Sequence, residues 1–270
     1  MNLKEKFNEL KGKEELAFMP YVAAGDPDAE TTVEILKTLI KNGADVIELG
    51  MPFSDPIADG PTIQKASERA LSAGMNTDIY FEICRKLKPD IPLVAMTYYN
   101  IILHYGLERF TERCGESGIY GIIVPDLPVE ESAPLLEMCK KHNINLIFLV
   151  AQTTTDERLS DIVKHAEGFI YLVSLLGVTG ARKEIDKMAL ELISRVKKKT
   201  KLPLCLGFGI SSPQHVEQLT SVPGLDGVIV GSAVVEVIEK NLSDRKKMLH
   251  ELENFVKKMK EAAKKKALVI

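Results

Sequence analysis

Residues 46–64 read VIELGMPFSDPIADGPTIQ and set a glutamate, Glu48, inside an apolar run. Asp45 stands just before the run, and Asp55 and Asp59 follow it in a loop broken by Gly and Pro. An ionised carboxylate buried without a partner costs several kcal/mol, so Glu48 must be paired, protonated or open to a cavity. A salt bridge inside the fold is the plain structural reading. It is weakened because none of the apolar runs of the chain carries a Lys or Arg that could face inward. In an apolar cavity a carboxyl pKa rises, because burial disfavours the charged form. Such a group sits near neutrality and can carry protons. Asp59 lies eleven residues further on, in DPIADGP. Asp, Pro and Gly are turn residues in their own right, so either loop aspartate can be architecture alone. The loop nevertheless follows the Glu48 run directly, and two carboxyls in different surroundings can divide acid and base work. The residues by themselves do not choose between the aspartates.

Three later segments contain glycine turns: LLGVTGARKEI with Gly177 and Gly180, LGFGISSPQHV with Gly207 and Gly209, and VGSAVVEVI with Gly231 and Ser232. Backbone N–H groups at helix N-termini and glycine turns cradle phosphate, and barrels often place that site after their last two strands. One such turn is weak evidence, since Gly commonly serves a tight connection. Three in these segments point to a phosphate-bearing ligand. No lysine lies in an apolar run where a Schiff-base nucleophile would project. The histidines (His104, His142, His165, His215, His250) are scattered, none beside a carboxylate at ligand spacing, so no metal site is expected. Proton transfer by carboxyls on a phosphorylated substrate remains, as a lyase or an isomerase.

The elements that must position these groups are eight short runs dense in Val, Ile and Leu: 18–24, 46–50, 91–98, 120–126, 145–151, 169–174, 202–209 and 226–232. Their near-continuous apolarity predicts strands covered on both faces. Amphipathic segments such as TTVEILKTLIKNG and IDKMALELISRVKKKT alternate with them. The fold class expected is α/β, a (β/α)8 TIM barrel forming one domain over 1–270, with extra helices between the second and third strands. An open doubly wound sheet is the rival, but the first turn, AAGDPDAE, lacks its glycine fingerprint. The N-terminal MNLKEKFNELKGKEE predicts a short helix rather than a signal peptide. The tail KKMKEAAKKK predicts a solvated last helix. The chain of 270 residues is 45% hydrophobic and 27% charged, with a formal charge of −3. That argues against nucleic acid or an anionic membrane as partner, and no stretch reaches the roughly 18 apolar residues of a membrane span. Cys84, Cys114, Cys139 and Cys205 form no close pairs, so free buried thiols and a cytoplasmic protein are expected.

The ordered set YVAAGDPD, ELGMPFSDPIADGPTIQ, MTYYN, GIIVPDLPVEE, TTTDERL, GVTGAR, GFGISSPQ and GVIVGSA resembles the α subunit of tryptophan synthase over nearly the whole chain. The resemblance implies cleavage of indole-3-glycerol phosphate to indole and glyceraldehyde 3-phosphate. It implies Glu48 as the proton carrier and Asp59 as the acid facing the indole nitrogen. It puts the phosphate on Gly180, Phe208, Gly209, Gly231 and Ser232, and the indole among Tyr21, Met96, Tyr98, Ile123, Leu149 and Tyr171. It assigns Thr179 to loop closure, and Asp55 and Asp126 to the face toward a β subunit in an αββα assembly. Pyridoxal phosphate would belong to that partner, and this chain would carry no cofactor. A chain acting mainly as an allosteric subunit, with little activity alone, is the alternative. Ile101 and Gln152 stand where proline is frequent in the family, which bears on loop shape and not on the acid pair.

Overall fold

Runs dense in Val, Ile and Leu suit parallel strands covered on both faces, and here each of the eight runs contributes a strand. The computed structural model describes residues 1–173, 187–207 and 209–264. Its strands are β1 (Ala17–Ala23), β2 (Ile47–Gly50), β3 (Leu93–Met96), β4 (Ile119–Ile123), β5 (Asn145–Ile147), β6 (Leu149–Ala151), β7 (Ile170–Val173), β8 (Leu204–Gly207) and β9 (Gly227–Val230). All recorded pairings within the sheet are parallel, in the order β5-β4-β3-β2-β1-β9-β8-β7-β6. The two ends of that order, β5 and β6, are the halves of one apolar run, NLIFLVA, interrupted at Phe148. The sheet therefore closes on itself through the covalent chain. Nine strands are described where eight runs are expected, and the barrel architecture is unchanged.

Around it stand α1 (Leu3–Gly12), α2 (Ala29–Lys41), α3 (Pro61–Ser72), α4 (Thr77–Leu87), α5 (Tyr99–Tyr105), α6 (Leu107–Glu116), α7 (Ala133–Lys141), α8 (Asp156–His165), α9 (Lys187–Lys197), α10 (Pro213–Leu219), α11 (Ser232–Lys240) and α12 (Arg245–Ala263). The extra helices after β2 are α3 and α4, as expected. A second pair, α5 and α6, follows β3. It divides at Gly106, whose φ of 94° is a left-handed value that glycine adopts at little cost. Among the described residues no helix is long and apolar enough to cross a membrane.

The strands read as uniformly apolar because their alternate residues enter two different cores. Val22, Ile47, Leu49, Leu93, Leu172 and Val228 pack outward against the helices. Tyr21, Val94, Met96, Ile123, Tyr171 and Cys205 pack inward, within the barrel. Each fully buried aliphatic side chain contributes roughly 1.5–3 kcal/mol. Between Ile119 and Gly121 the β3–β4 register slips by one residue, which lets Ile119 join the outer core while Gly121 follows the inner parity.

Helix α1 closes the N-terminal mouth. Asn2 accepts the Glu5 N–H at 2.9 Å and the Glu5 carboxylate accepts the Asn2 N–H at 2.8 Å, a capping box. Leu3, Phe7 and Leu10 then join the inner cluster, with the Phe7 and Phe169 rings 5.8 Å apart. Helix α12 departs from the expected solvated tail. It buries Met248, Leu252, Val256, Met259 and Ala263, and Lys260 reaches Glu15 at 2.7 Å and Asp45 at 2.9 Å. Asp45 also accepts the Phe18 N–H at 2.8 Å, so this aspartate belongs to the architecture of the strand starts. The four cysteines are free and buried.

Candidate active site

Glu48 pairs in register with Tyr21 on β1 and Val94 on β3, both of the inner cluster. It is 3% exposed, and its Oε2 has no hydrogen-bond partner among the described residues. Burial is the larger cause and the charge of Asp59 the smaller one that push its carboxyl up to about 8. Near neutrality Glu48 is therefore mostly protonated, an acid able to give a proton and take one back.

Asp59 comes to this site because the loop after β2 must end where α3 begins. Gly60 is the N-cap of α3 and Pro61 its first residue, a position where the missing N–H of proline costs nothing. The Gln64 amide donates to the Asp59 carbonyl at 2.8 Å. Burial raises the Asp59 carboxyl pKa, and a hydrogen bond from the Tyr98 hydroxyl opposes that rise. The three aspartates thus separate: Asp45 serves the strand starts, Asp55 is exposed beside the Ser54 hydroxyl, and Asp59 interacts with Glu48.

Of the expected pocket residues, Tyr21, Met96, Tyr98, Ile123 and Tyr171 belong to the inner cluster, and Leu149 packs against it. Two strand glycines make room for the tyrosines. A Cβ built on Gly50 would lie 2.1 Å from the Tyr21 hydroxyl oxygen and 2.5 Å from its ring carbon Cζ. One on Gly207 would meet the Tyr171 ring at 2.5 Å. Both tyrosines thus lie across a bare stretch of the neighbouring strand. Gly50→Ala is expected to cost about 1–3 kcal/mol by overpacking. Chemical denaturation measures that loss, and Tyr21→Leu in the same chain should recover part of it. A Gly50→Ala protein as stable as its parent would mean that the Tyr21 ring has somewhere else to go.

Gly209 and the Gly231–Ser232 pair follow β8 and β9, which are neighbours in the sheet. Gly209 has a φ of 76°, and Ser232 is the exposed first residue of α11. The amides of that first turn and the positive end of the helix dipole favour an anion there. Asp126 accepts the Tyr99 N–H at 2.9 and 3.2 Å and so serves α5 internally. Thr179, Gly180 and Phe208 lie outside the described residues. Among the described residues no group of three His, Cys, Asp or Glu side chains could hold a metal ion. Sequence reading missed the link from Tyr98 to the loop, and it missed Asp26, which is fully buried in the turn after β1 and paired with Arg69. An aspartate in a GDPD turn carries no local sign of a distant arginine.

Fold and site together define a (β/α)8 barrel that holds a protonatable glutamate inside and a second acid on the loop above it. The tryptophan synthase alpha chain family model matches residues 7–264. The chain is 51% identical to the tryptophan synthase alpha chain of Methanosarcina barkeri over 97% of each chain. It superposes on the tryptophan synthase alpha subunit from Legionella pneumophila with a TM-score of 0.89 at 36% identity, over 97% of this chain and 98% of that one. A chain of tryptophan synthase from M. tuberculosis in its aminoacrylate-bound form gives 0.87 at 31% identity, over 97% and 98%. The chain belongs to the tryptophan synthase alpha chain family, and the expected enzyme class, a lyase of tryptophan synthesis, goes with it.

Proposed function

We propose that this chain cleaves indole-3-glycerol phosphate to indole and D-glyceraldehyde 3-phosphate, with Glu48 and Asp59 as its acid–base pair. The observation that carries the reading is the Glu48 carboxyl, buried in an apolar barrel with one oxygen unpartnered among the described residues; burial there pushes its pKa up to about 8. A proton delivered to indole C3 makes the ring an iminium. Removal of the side-chain hydroxyl proton lets that oxygen form a carbonyl. The electrons of the breaking carbon–carbon bond then return to the ring and restore indole. One proton enters and one leaves, so a single carboxyl can serve both positions. Asp59, as a carboxylate at the ring nitrogen, stabilises the charge that develops there. Gly209, Gly231 and Ser232 would receive the phosphate, with Gly180 and Phe208 beside them and Thr179 closing the loop. Tyr21, Met96, Tyr98, Ile123, Leu149 and Tyr171 would enclose the indole.

The same reading gives the chain a β subunit as partner in an α2β2 heterotetramer. That partner would bring pyridoxal phosphate and consume the indole, and this chain would need no cofactor. Support comes from the Asp55 loop, where Ile57 is 78% exposed, a large apolar side chain offered to solvent beside the acid site. Four free buried thiols suit the cytoplasm.

Release of indole from indole-3-glycerol phosphate tests the reading, with and without an added β subunit. Asp59→Asn is expected to lower kcat about a hundredfold, the size of one general acid–base or electrostatic contribution, with the fold retained. Turnover that is full in Asp59→Asn would remove Asp59 from the mechanism. No turnover by the parent chain without the β subunit, and turnover with it, would favour the allosteric alternative.

A further inference from the structure

Tyr98 and Asp126 link the Asp59 loop to the turn after β4. Tyr98 is the N-cap residue of α5 and is 1% exposed. Its hydroxyl accepts the Ala58 N–H at 3.1 Å, forty residues back in the chain. Burial raises the Asp59 pKa and the Tyr98 hydroxyl opposes that rise, so the group that holds Ala58 also acts on the acid next to it. Its ring stacks on Phe53, at the start of that loop, with centroids 5.0 Å apart and planes 28° apart. A side chain serving only as an apolar wall would make none of the polar contacts.

What holds Tyr98 is equally specific. The next residue, Tyr99, opens α5, and its N–H donates to both oxygens of Asp126 at 2.9 and 3.2 Å. The negative charge at this helix start is favourable, and it fixes where the helix begins. The chain of contacts runs from Asp126, through the first peptide of α5, to the Tyr98 hydroxyl and on to the Ala58 N–H, one residue before Asp59. A displacement of 1 Å at a reacting group can cost a hundredfold in rate, so a support of this kind has kinetic weight.

We propose that Tyr98 is a positioning residue for Asp59 and that Asp126 sets Tyr98 in place, so that these two groups determine how the loop acid meets the substrate. The inference rests on the lyase reading above. Asp59 is faced by Glu48, Tyr21, Tyr98 and Tyr171, and the charge of Asp126 bears on Tyr98. Of these, Tyr98 favours the Asp59 carboxylate, against the effect of burial.

Tyr98→Phe removes the hydroxyl and keeps the ring against Phe53. Steady-state indole release is expected to show kcat lowered about tenfold to a hundredfold, with KM changed less than threefold. The acid limb of the kcat/KM profile should move to higher pH, since a carboxylate that loses a donor binds its proton more tightly. Asp126→Ala should move kcat and the acid limb in the same directions. The Tyr98→Phe/Asp126→Ala double variant should lose less than the product of the two single losses. Parental kcat and pH profile in Tyr98→Phe would overturn the role of Tyr98. Losses that simply multiply would overturn the role given to Asp126. A fall in kcat with an unmoved acid limb would reduce Tyr98 to a wall of the pocket. Absence of indole release in the parent, alone and with a β subunit, would instead reject the lyase reading, so the two failures are told apart.

Discussion

Glu48→Gln is expected to lower kcat for indole release about a thousandfold while making the folded protein more stable at pH 7. Both effects follow from the same burial. Glutamine keeps the shape but can neither give nor take the proton, and loss of a positioned acid–base group costs about 10²–10⁴ in rate. The stability change has a defined sign. The Glu48 pKa is about 8 in the fold against 4.5 for the free side chain, so the folded state holds a proton that the unfolded chain releases. Stability must therefore fall as pH rises from about 4.5 to about 8, and the loss at pH 7 is about 3 kcal/mol. The glutamine variant has no such slope at this position. Denaturation curves for parent and variant should coincide near pH 4 and separate toward pH 8, the variant being the more stable. A gap that stays constant over this range would mean that Glu48 is ionised and partnered, and the proton-carrier role would go with it. In the proposed mechanism the group that carries the proton also weakens the fold, an opposition that a functional site buried in a core should show.

The barrel is legible in the sequence because its strands are apolar on both faces and broken by Gly, Pro and Asp at regular intervals. The same uniform apolarity hides which residues face inward. In the run containing Glu48, only the acid itself betrays its side. Along NLIFLVA nothing marks the interruption at Phe148, and nothing in YGIIV marks the register slip before Gly121. These are set by closure of the sheet, which no local window contains. Glu48 stood out because it violates its surroundings. Tyr98 did not, since a tyrosine after an apolar strand suits a pocket wall, and the partner of its hydroxyl is forty residues away. Lys260 is hidden in a different way. It sits among five other lysines in KKMKEAAKKK, and only the packing of α12 sends it inward to Asp45 and Glu15.

The largest loss of stability is expected at Arg69, a residue outside the acid pair. Asp26, in the turn after β1, is fully buried, and its two oxygens receive Arg69 Nε at 2.8 Å and Nη2 at 2.9 Å. The remaining Arg69 nitrogen, Nη1, lies 3.4 Å from Glu239 on α11. Burial raises the Asp26 pKa and the arginine works against that rise, so the cation is what keeps a carboxylate tolerable there. Arg69→Ala leaves the charge behind, and breaking one side of a buried pair costs about 3–5 kcal/mol. For a chain of this size that corresponds to roughly 6–20 °C in Tm. Arg69→Lys should lose less than Arg69→Ala, because it keeps the charge and gives up the two-pronged geometry. The penalty should shrink in acid, where a protonated Asp26 needs no cation. Adding Asp26→Asn to Arg69→Ala should restore much of the stability at pH 7. A loss below about 1 kcal/mol, or a double variant as weak as Arg69→Ala alone, would show that Asp26 finds another partner. The consequence reaches the chemistry because Arg69 lies on α3, the helix that starts two residues after Asp59. Its guanidinium ties that helix to the turn after β1 and to α11, whose other end carries Gly231 and Ser232. In Arg69→Ala, indole release should therefore decline on warming before global unfolding begins, and far-UV circular dichroism followed alongside the assay separates the two events.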